Sequence, residues 1–392
     1  MGDLEWILLV LAAFYVVETA HWVLPGAVVF VGHGGRRLRP RMLDITPTFR
    51  NAGGGVLFGS LLPWGESVVA SPCPLSIDDD GVLGFTAHHL GHDARPADDG
   101  PVVAWDELRD VVVEGREIRL AGRRLVTADS PATAARLVEF LQRSMKAGPA
   151  QRSATLDAFH AAWFDDCAFA DELEAGRRAC RFLRITCTSL FLHFFVLLPV
   201  IVGRGWGIFF LYWVAGYAVL LTVHLAAFHL AHRRLHRADR AERWKRLLLM
   251  LISPADAARS RSRLLRDVAV LRHPLCVAVV SCSADDAALS ARRTLRDLRS
   301  PQLPNCADSP RGRRIDEAFR RRVLNEALGL LRRRGLDPAD FERPPQPDAP
   351  DSAAFCPRCE QQFRESQGTC AACGLAAVPY PASSSGGSDP GS

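Results

Sequence analysis

The sequence predicts a multi-domain integral membrane protein: three transmembrane helices, a small α+β cytosolic module, a helical cytosolic region and a C-terminal cysteine module. Three observations predict it. Ile185–Val202 and Trp206–Ala231 are apolar runs parted only by Gly203-Arg204-Gly205, each long enough to cross the roughly 30 Å hydrocarbon layer as a helix. Arginines cluster beside the apolar runs, which points to a membrane surface before it points to nucleic acid. Four of the eleven cysteines lie in one compact C-terminal group. The other seven show no framework spacing, which suits a reducing compartment with metal-bound thiols.

Residues 1–24 form the first predicted span. Asp3 and Glu5 precede its apolar stretch and no Lys or Arg does, which is wrong for a secretory signal peptide. Arg36, Arg37, Arg39 and Arg41 follow it; Arg177, Arg178, Arg181 and Arg184 precede the hairpin; Arg233, Arg234 and Arg237 follow it. Only Arg204 lies in the opposite turn. By the positive-inside rule the N-terminus is outside, and the C-terminus is on the cytosolic side of an inner or cytoplasmic membrane.

Residues 25–150 read as a β-rich module. Short strand-like runs occur at Pro74–Ile77, Gly81–Thr86, Val102–Trp105, Leu108–Val113, Glu117–Leu120 and Arg123–Thr127. Turn signals at Asp78–Gly81, Glu114-Gly115 and Ala121-Gly122 separate them. Ser130-Pro131 then opens a helix whose Ala134, Leu137, Val138 and Leu141 recur at helical spacing. Strands closed by one helix, with Ala104-Trp105-Asp106-Glu107-Leu108 and the hairpin over 111–126, resemble a bacterial pleckstrin-homology-like domain over residues 53–145. That resemblance implies a binding or assembly module beside a membrane. His88-His89-x-x-His92-Asp93 reads as a polar loop rather than a metal site.

Residues 151–184 read as one amphipathic helix, acidic first and basic last. Its Asp165-Asp166 pair reads as a solvated face. The hairpin of residues 185–231 carries His193 and His224, at similar depth in an antiparallel pair. Glu18 and His21, three apart, share a face of the first span. These four residues are the candidate intramembrane polar site, set against ordinary interhelical hydrogen bonding.

Residues 232–300 are basic and helical, with eleven Lys or Arg against three acids over 233–266. Arg233, Arg234, Arg237, Lys245 and Arg246 are candidate contacts to anionic lipid headgroups. Nucleic acid is the disfavoured partner, for want of an aromatic-interleaved or helix-turn-helix pattern. Residues 301–343 comprise a linker and an amphipathic helix ended by Gly335, with a turn at Asp337–Asp340. Residues 344–378 hold a Pro- and Asp-rich tether and then Cys356-Pro357-Arg358-Cys359 and Cys370-Ala371-Ala372-Cys373. Two C-x2-C pairs can place four thiolates tetrahedrally around zinc. The segment resembles a small zinc ribbon, whose metal would supply the folding free energy that so short a piece lacks. Four Cys ligands close the site, so its role is structural. Residues 379–392 are a Ser/Gly/Pro tail expected to be disordered.

With no nucleophile elbow, phosphate loop or paired acid/base motif, the sequence points to a scaffold or adaptor with a protein partner. The alternatives are a membrane enzyme or transporter using the Glu/His residues, and membrane-tethered nucleic-acid binding.

Overall fold

The computed structural model describes residues 5–6, 8–13, 28–33, 39–42, 63–70, 73, 75–84, 102–128, 131–205, 207–235, 240–299, 310–347, 349–356, 360–371 and 376–380. The described residues are mostly helical, and among them the strands form four small antiparallel sheets.

Strands β1 (Val28–His33), β2 (Arg39–Met42) and β3 (Gly65–Ala70) form one sheet in the order β2-β1-β3. The sequence reading had no strands here, because glycine-rich segments interrupt the alternation. Two meanders follow. The first joins β4 (Leu75–Asp78), β5 (Gly81–Gly84) and β6 (Val102–Val103). The second joins β7 (Val111–Glu114), β8 (Glu117–Leu120) and β9 (Arg123–Thr127). A Cβ at Gly84 would fall 2.3 Å from the Leu125 carbonyl oxygen, so only glycine lets the meanders approach this closely. Trp105 ties the start of the second meander to the first by donating to the Asp78 carbonyl at 2.7 Å. Helix α1 (Pro131–Lys146) closes the module through buried Ala134, Leu137, Val138 and Leu141.

The helix read over 151–184 is instead three. Helix α2 (Pro149–Trp163) stops where Asp165 caps α3 (Asp166–Ala179), its side chain accepting from the Ala168 amide at 2.9 Å. Cys180 then leads into α4 (Arg181–Phe191). Asp166 is no solvated carboxylate: it is buried and pairs with Arg334 at 2.6 Å.

Helix α4 continues through a π-helical stretch, Leu192–Leu197, into α5 (Leu198–Gly203). Pro199 cannot donate to the ladder, and the widened turn lies just before it. Helix α6 (Ile208–Leu235) returns beside them. These two segments are long and apolar enough to cross a membrane. Most of the first predicted span lies outside the described residues.

Helix α7 (Arg240–Ile252) and helix α8 (Pro254–Arg266) follow. Then come α9 (Pro274–Ser281), α10 (Ala284–Arg299), α11 (Pro310–Arg333) and α12 (Pro338–Glu342). The expected turn at 337–340 is the start of α12, because Asp337 caps the Ala339 amide and Pro338 fits the first helical position. Helix α9 is a short apolar run, largely buried.

One core joins regions that the sequence had separated. Leu75, Ile77 and Ile118 of the β module share it with Leu156 and Phe169, with Leu275 and Val277 of α9, and with Val323 and Leu331 of α11. Helix α11 lies on β4, where Ser76 donates to Asp316 at 3.1 Å and Arg322 pairs with Asp79 at 2.6 Å.

Candidate functional site

The first candidate lies where α4, α6 and α8 meet. His224 of α6 is fully buried. Its Nδ1 is 2.8 Å from Thr186 Oγ1 of α4, and its Nε2 is 3.0 Å from Ser260 Oγ of α8. Cys187 Sγ lies 3.4 Å from the same Ser260 oxygen, and Thr186 Oγ1 can also donate to the Leu183 carbonyl at 3.2 Å. One run of protons satisfies all of them around a neutral imidazole. Ser260 donates to Nε2, Nδ1–H donates to Thr186, and Thr186 donates to Leu183. The arrangement is a hydroxyl beside a base that a second hydroxyl orients. It is also a complete buried network, the condition under which polar groups are tolerated away from water.

His193 does not join it. Its Nε2 is 2.9 Å from the Trp213 carbonyl, and Trp213 Nε1 donates to the His193 carbonyl at 2.8 Å. The ring lies nearly parallel to both Trp213 and Tyr217, at centroid distances of 5.5 and 6.1 Å, and beside Gly216. The helices pair Thr186 with His224 and His193 with Trp213, so the two imidazoles stand at different depths, contrary to the sequence estimate. Glu18 and His21 lie outside the described residues, as does the histidine loop at 88–93.

Beneath this network, Glu66 of β3 takes two guanidinium groups. Arg177 pairs at 2.7 Å and Arg261 at 3.0 Å, and Arg261 also donates to the Gly65 carbonyl at 2.7 Å. Arg259 and Arg261 belong to the basic stretch 233–266, yet both are buried. Their i, i+2 spacing looked like surface, and only the fold supplies Glu66. Of the candidate lipid contacts, Arg233, Arg234 and Lys245 are exposed. Arg246 turns to Glu242 at 2.9 Å, and Arg237 lies outside the described residues.

The second candidate is the cysteine module. Strands β10 (Ala354–Phe355), β11 (Gln362–Phe363) and β12 (Val378–Pro379) form its sheet. Between β10 and β11 the Glu360 amide donates to the Cys356 carbonyl at 3.0 Å, and Glu360 has φ of 61°. Gln361 links two cysteines. Its carbonyl accepts from the Cys356 amide at 2.8 Å, and its side chain accepts from the Cys370 thiol at 3.5 Å. Both cysteines are fully buried. Cys359 and Cys373 lie outside the described residues, and among the described residues no group of three metal-ligating side chains forms.

The module is seated on α10. Arg292 grips both Glu360 carboxylate oxygens at 2.8 and 3.1 Å, and Arg296 lies 5.3 Å over the Phe355 ring. Nothing in the sequence marked Arg292, since one arginine of a charged helix looks like another. In the body, burial pushes the Cys276 and Cys282 thiols up to about 12, which suits packing rather than nucleophilic chemistry.

No protein-family profile, curated protein or solved structure matches the chain.

Proposed function

We propose that the chain is a membrane-anchored scaffold or adaptor that presents its β module and a zinc-bound ribbon to a protein partner at the cytosolic face. The observation that carries this reading is the seating of the cysteine module. A bidentate Arg292–Glu360 pair holds it at a fixed place on the body, and a scaffold needs fixed presentation. Cys356, Cys359, Cys370 and Cys373 would hold the zinc. The buried pair Cys356 and Cys370, drawn together by Gln361, fits such a site. When bound, the metal would fold and stiffen the ribbon, with no open position for catalysis. The two meanders closed by α1 support the pleckstrin-homology-like reading of the module, and the two long apolar helices support integral anchoring. The three-span topology rests on the arginine clusters.

Zinc content and crosslinked pull-down from membranes test this together. One zinc per chain is expected, falling to none after Cys356→Ser with Cys370→Ser. A partner crosslinked by the full chain should be lost after truncation at Pro344. A partner set unchanged by the truncation would reject the adaptor role for the ribbon.

A second reading, a membrane enzyme or transporter, draws on the His224–Ser260 pair. It predicts turnover abolished by Ser260→Ala, and a second metal retained in the protein cut at Pro344. The separate partners of His193 and His224 weigh against a convergent metal site. Nucleic-acid binding is weakened by the burial of Arg259 and Arg261.

A further inference from the structure

Helix α7 turns apolar residues outward, while α8 beside it is buried almost throughout, apolar and polar residues alike. The last six residues of α7, Leu247 to Ile252, are all apolar. Of these, Leu248, Leu249, Leu251 and Ile252 are exposed, Ile252 by 81%. In α8, by contrast, Asp256, Arg259, Ser260, Arg261 and Ser262 are buried. Those α8 groups are enclosed by protein, Arg261 by Glu66 and Asp256 by Arg263; a hairpin that faced water would bury the α7 set instead of exposing it.

Neighbours show where this hairpin lies. Helix α7 turns back along α6: Trp244 sits 6.4 Å from His229, and Leu247 and Met250 share a core cluster with Ala227 and Phe228. Helix α8 then runs antiparallel to α4. Ala255 and Ala258 pack on Phe195, Ser260 meets His224, and Leu264 and Leu265 cluster with Cys180 and Leu183. The tip, Ile252-Ser253-Pro254, therefore stands near the level of Phe195. That residue is past the midpoint of the 23-residue segment Arg181–Gly203, about 20 Å along it from Arg181 at about 1.5 Å per residue. Leu11, from the apolar N-terminal stretch, packs at the same place.

The tip also meets the demand that hydrocarbon makes on backbone groups. Pro254 brings no amide hydrogen. The Ser253 amide donates to the Leu249 carbonyl at 2.8 Å, and the Ser253 hydroxyl accepts from the Asp256 amide at 3.2 Å. The charged residues of α7, from Arg240 to Arg246, lie in its first half, at the arginine-rich end of α6.

The geometry points to a re-entrant hairpin: α7 and α8 enter the bilayer from the arginine-rich side and turn near its centre, with Leu248, Leu251 and Ile252 against lipid acyl chains. Acyl chains are the occupant because α7 packs along α6, and both long helices expose apolar residues of the same kind, Ile185, Val196, Leu211 and Tyr212. The inference rests on the membrane-anchored reading and deepens it. It places the His224–Ser260 network at membrane depth, sealed on one side by α8.

Power-saturation EPR tests the hairpin. The full chain, in phosphatidylcholine and phosphatidylglycerol vesicles, carries one genetically incorporated nitroxide residue at Ile252, Leu248, Val196 or Glu139. The label at 252 is expected to be relaxed by oxygen and shielded from a water-soluble nickel chelate, as at 196, with the reverse at 139. The label at 248 should read about 6 Å shallower than that at 252, being one helical turn earlier. Nickel access at 252 with shielding at 196, or a depth order reversed between 248 and 252, would overturn the hairpin and leave the anchor standing. Nickel access at 196 as well would overturn both.

Discussion

His273 and His160, outside the two long apolar helices, are held without charge. His273 stacks 4.6 Å from Phe164, and its Nδ1 accepts from the Leu275 amide as the cap of α9. Burial pushes its pKa down to about 3. His160 Nδ1 meets the Leu156 carbonyl at 2.7 Å amid Phe159, Trp163 and Phe319, and burial lowers its pKa to about 4. Both values lie below the ordinary 6.5, so on acidification the unfolded chain takes up protons first. Stability is therefore complete above roughly pH 6.5 and is lost as pH falls toward 4, by up to about 3 kcal/mol for His160. Thermal denaturation from pH 7.5 to 4.5 should show the decline. His273→Asn, which keeps a cap acceptor but cannot charge, should flatten it; an unchanged slope would count against this account. Glu66 is the other decisive side chain. Glu66→Ala leaves Arg261 buried without its carboxylate and should cost about 3–5 kcal/mol, read by chemical denaturation in detergent. None of these roles was legible beforehand. A histidine, or a glutamate in a strand, has no pattern that names its neighbours.

Helices with an apolar stripe and end signals were read well. Helix α11 ends as its Gly335 required, with φ of 69°, and the Leu336 amide reaches the Leu331 carbonyl at 3.0 Å. Helix α8 begins at Ser253-Pro254, where the Ser253 hydroxyl caps the Asp256 amide, and its Arg259 and Arg261 are buried, although arginines two apart look like a solvated surface. Gly176 marks where α3 crosses α8. A Cβ there would sit 3.1 Å from Leu265 Cδ2 and 3.3 Å from Val268 Cγ2. Gly176→Leu should therefore cost about 1–3 kcal/mol through overpacking, and Gly176→Ala less; equal stability for both would show that this crossing is loose. On α10, Arg292→Ala removes the grip on Glu360. Hydrogen exchange over 354–363 should quicken by about tenfold, the effect of a hydrogen bond worth about 1.4 kcal/mol, while α9 and α11 stay protected. Unchanged exchange would mean that the cysteine module is held by other contacts.

The cysteine module and the body have separate sources of stability. Phe355, Cys356 and Cys370 are buried outside the large core that joins the β module to α9 and α11. If zinc supplies the ribbon's folding free energy, chelation should open residues 354–380 and leave the rest folded. Hydrogen exchange with and without chelator checks this; loss of protection in α11 would show one cooperative unit instead. By itself the sequence determined the apolar hairpin, the closing helix of the β module, the hairpin turns and the two cysteine pairs. Each of these is encoded in spacing along a few consecutive residues. Only the tertiary structure decided that the modules share one core and that Arg261 belongs to Glu66. It alone placed His224 with Ser260 rather than with His193, and folded α7 and α8 back along the two long apolar helices. Those outcomes depend on which distant faces meet, and burial, not local spacing, selects among them.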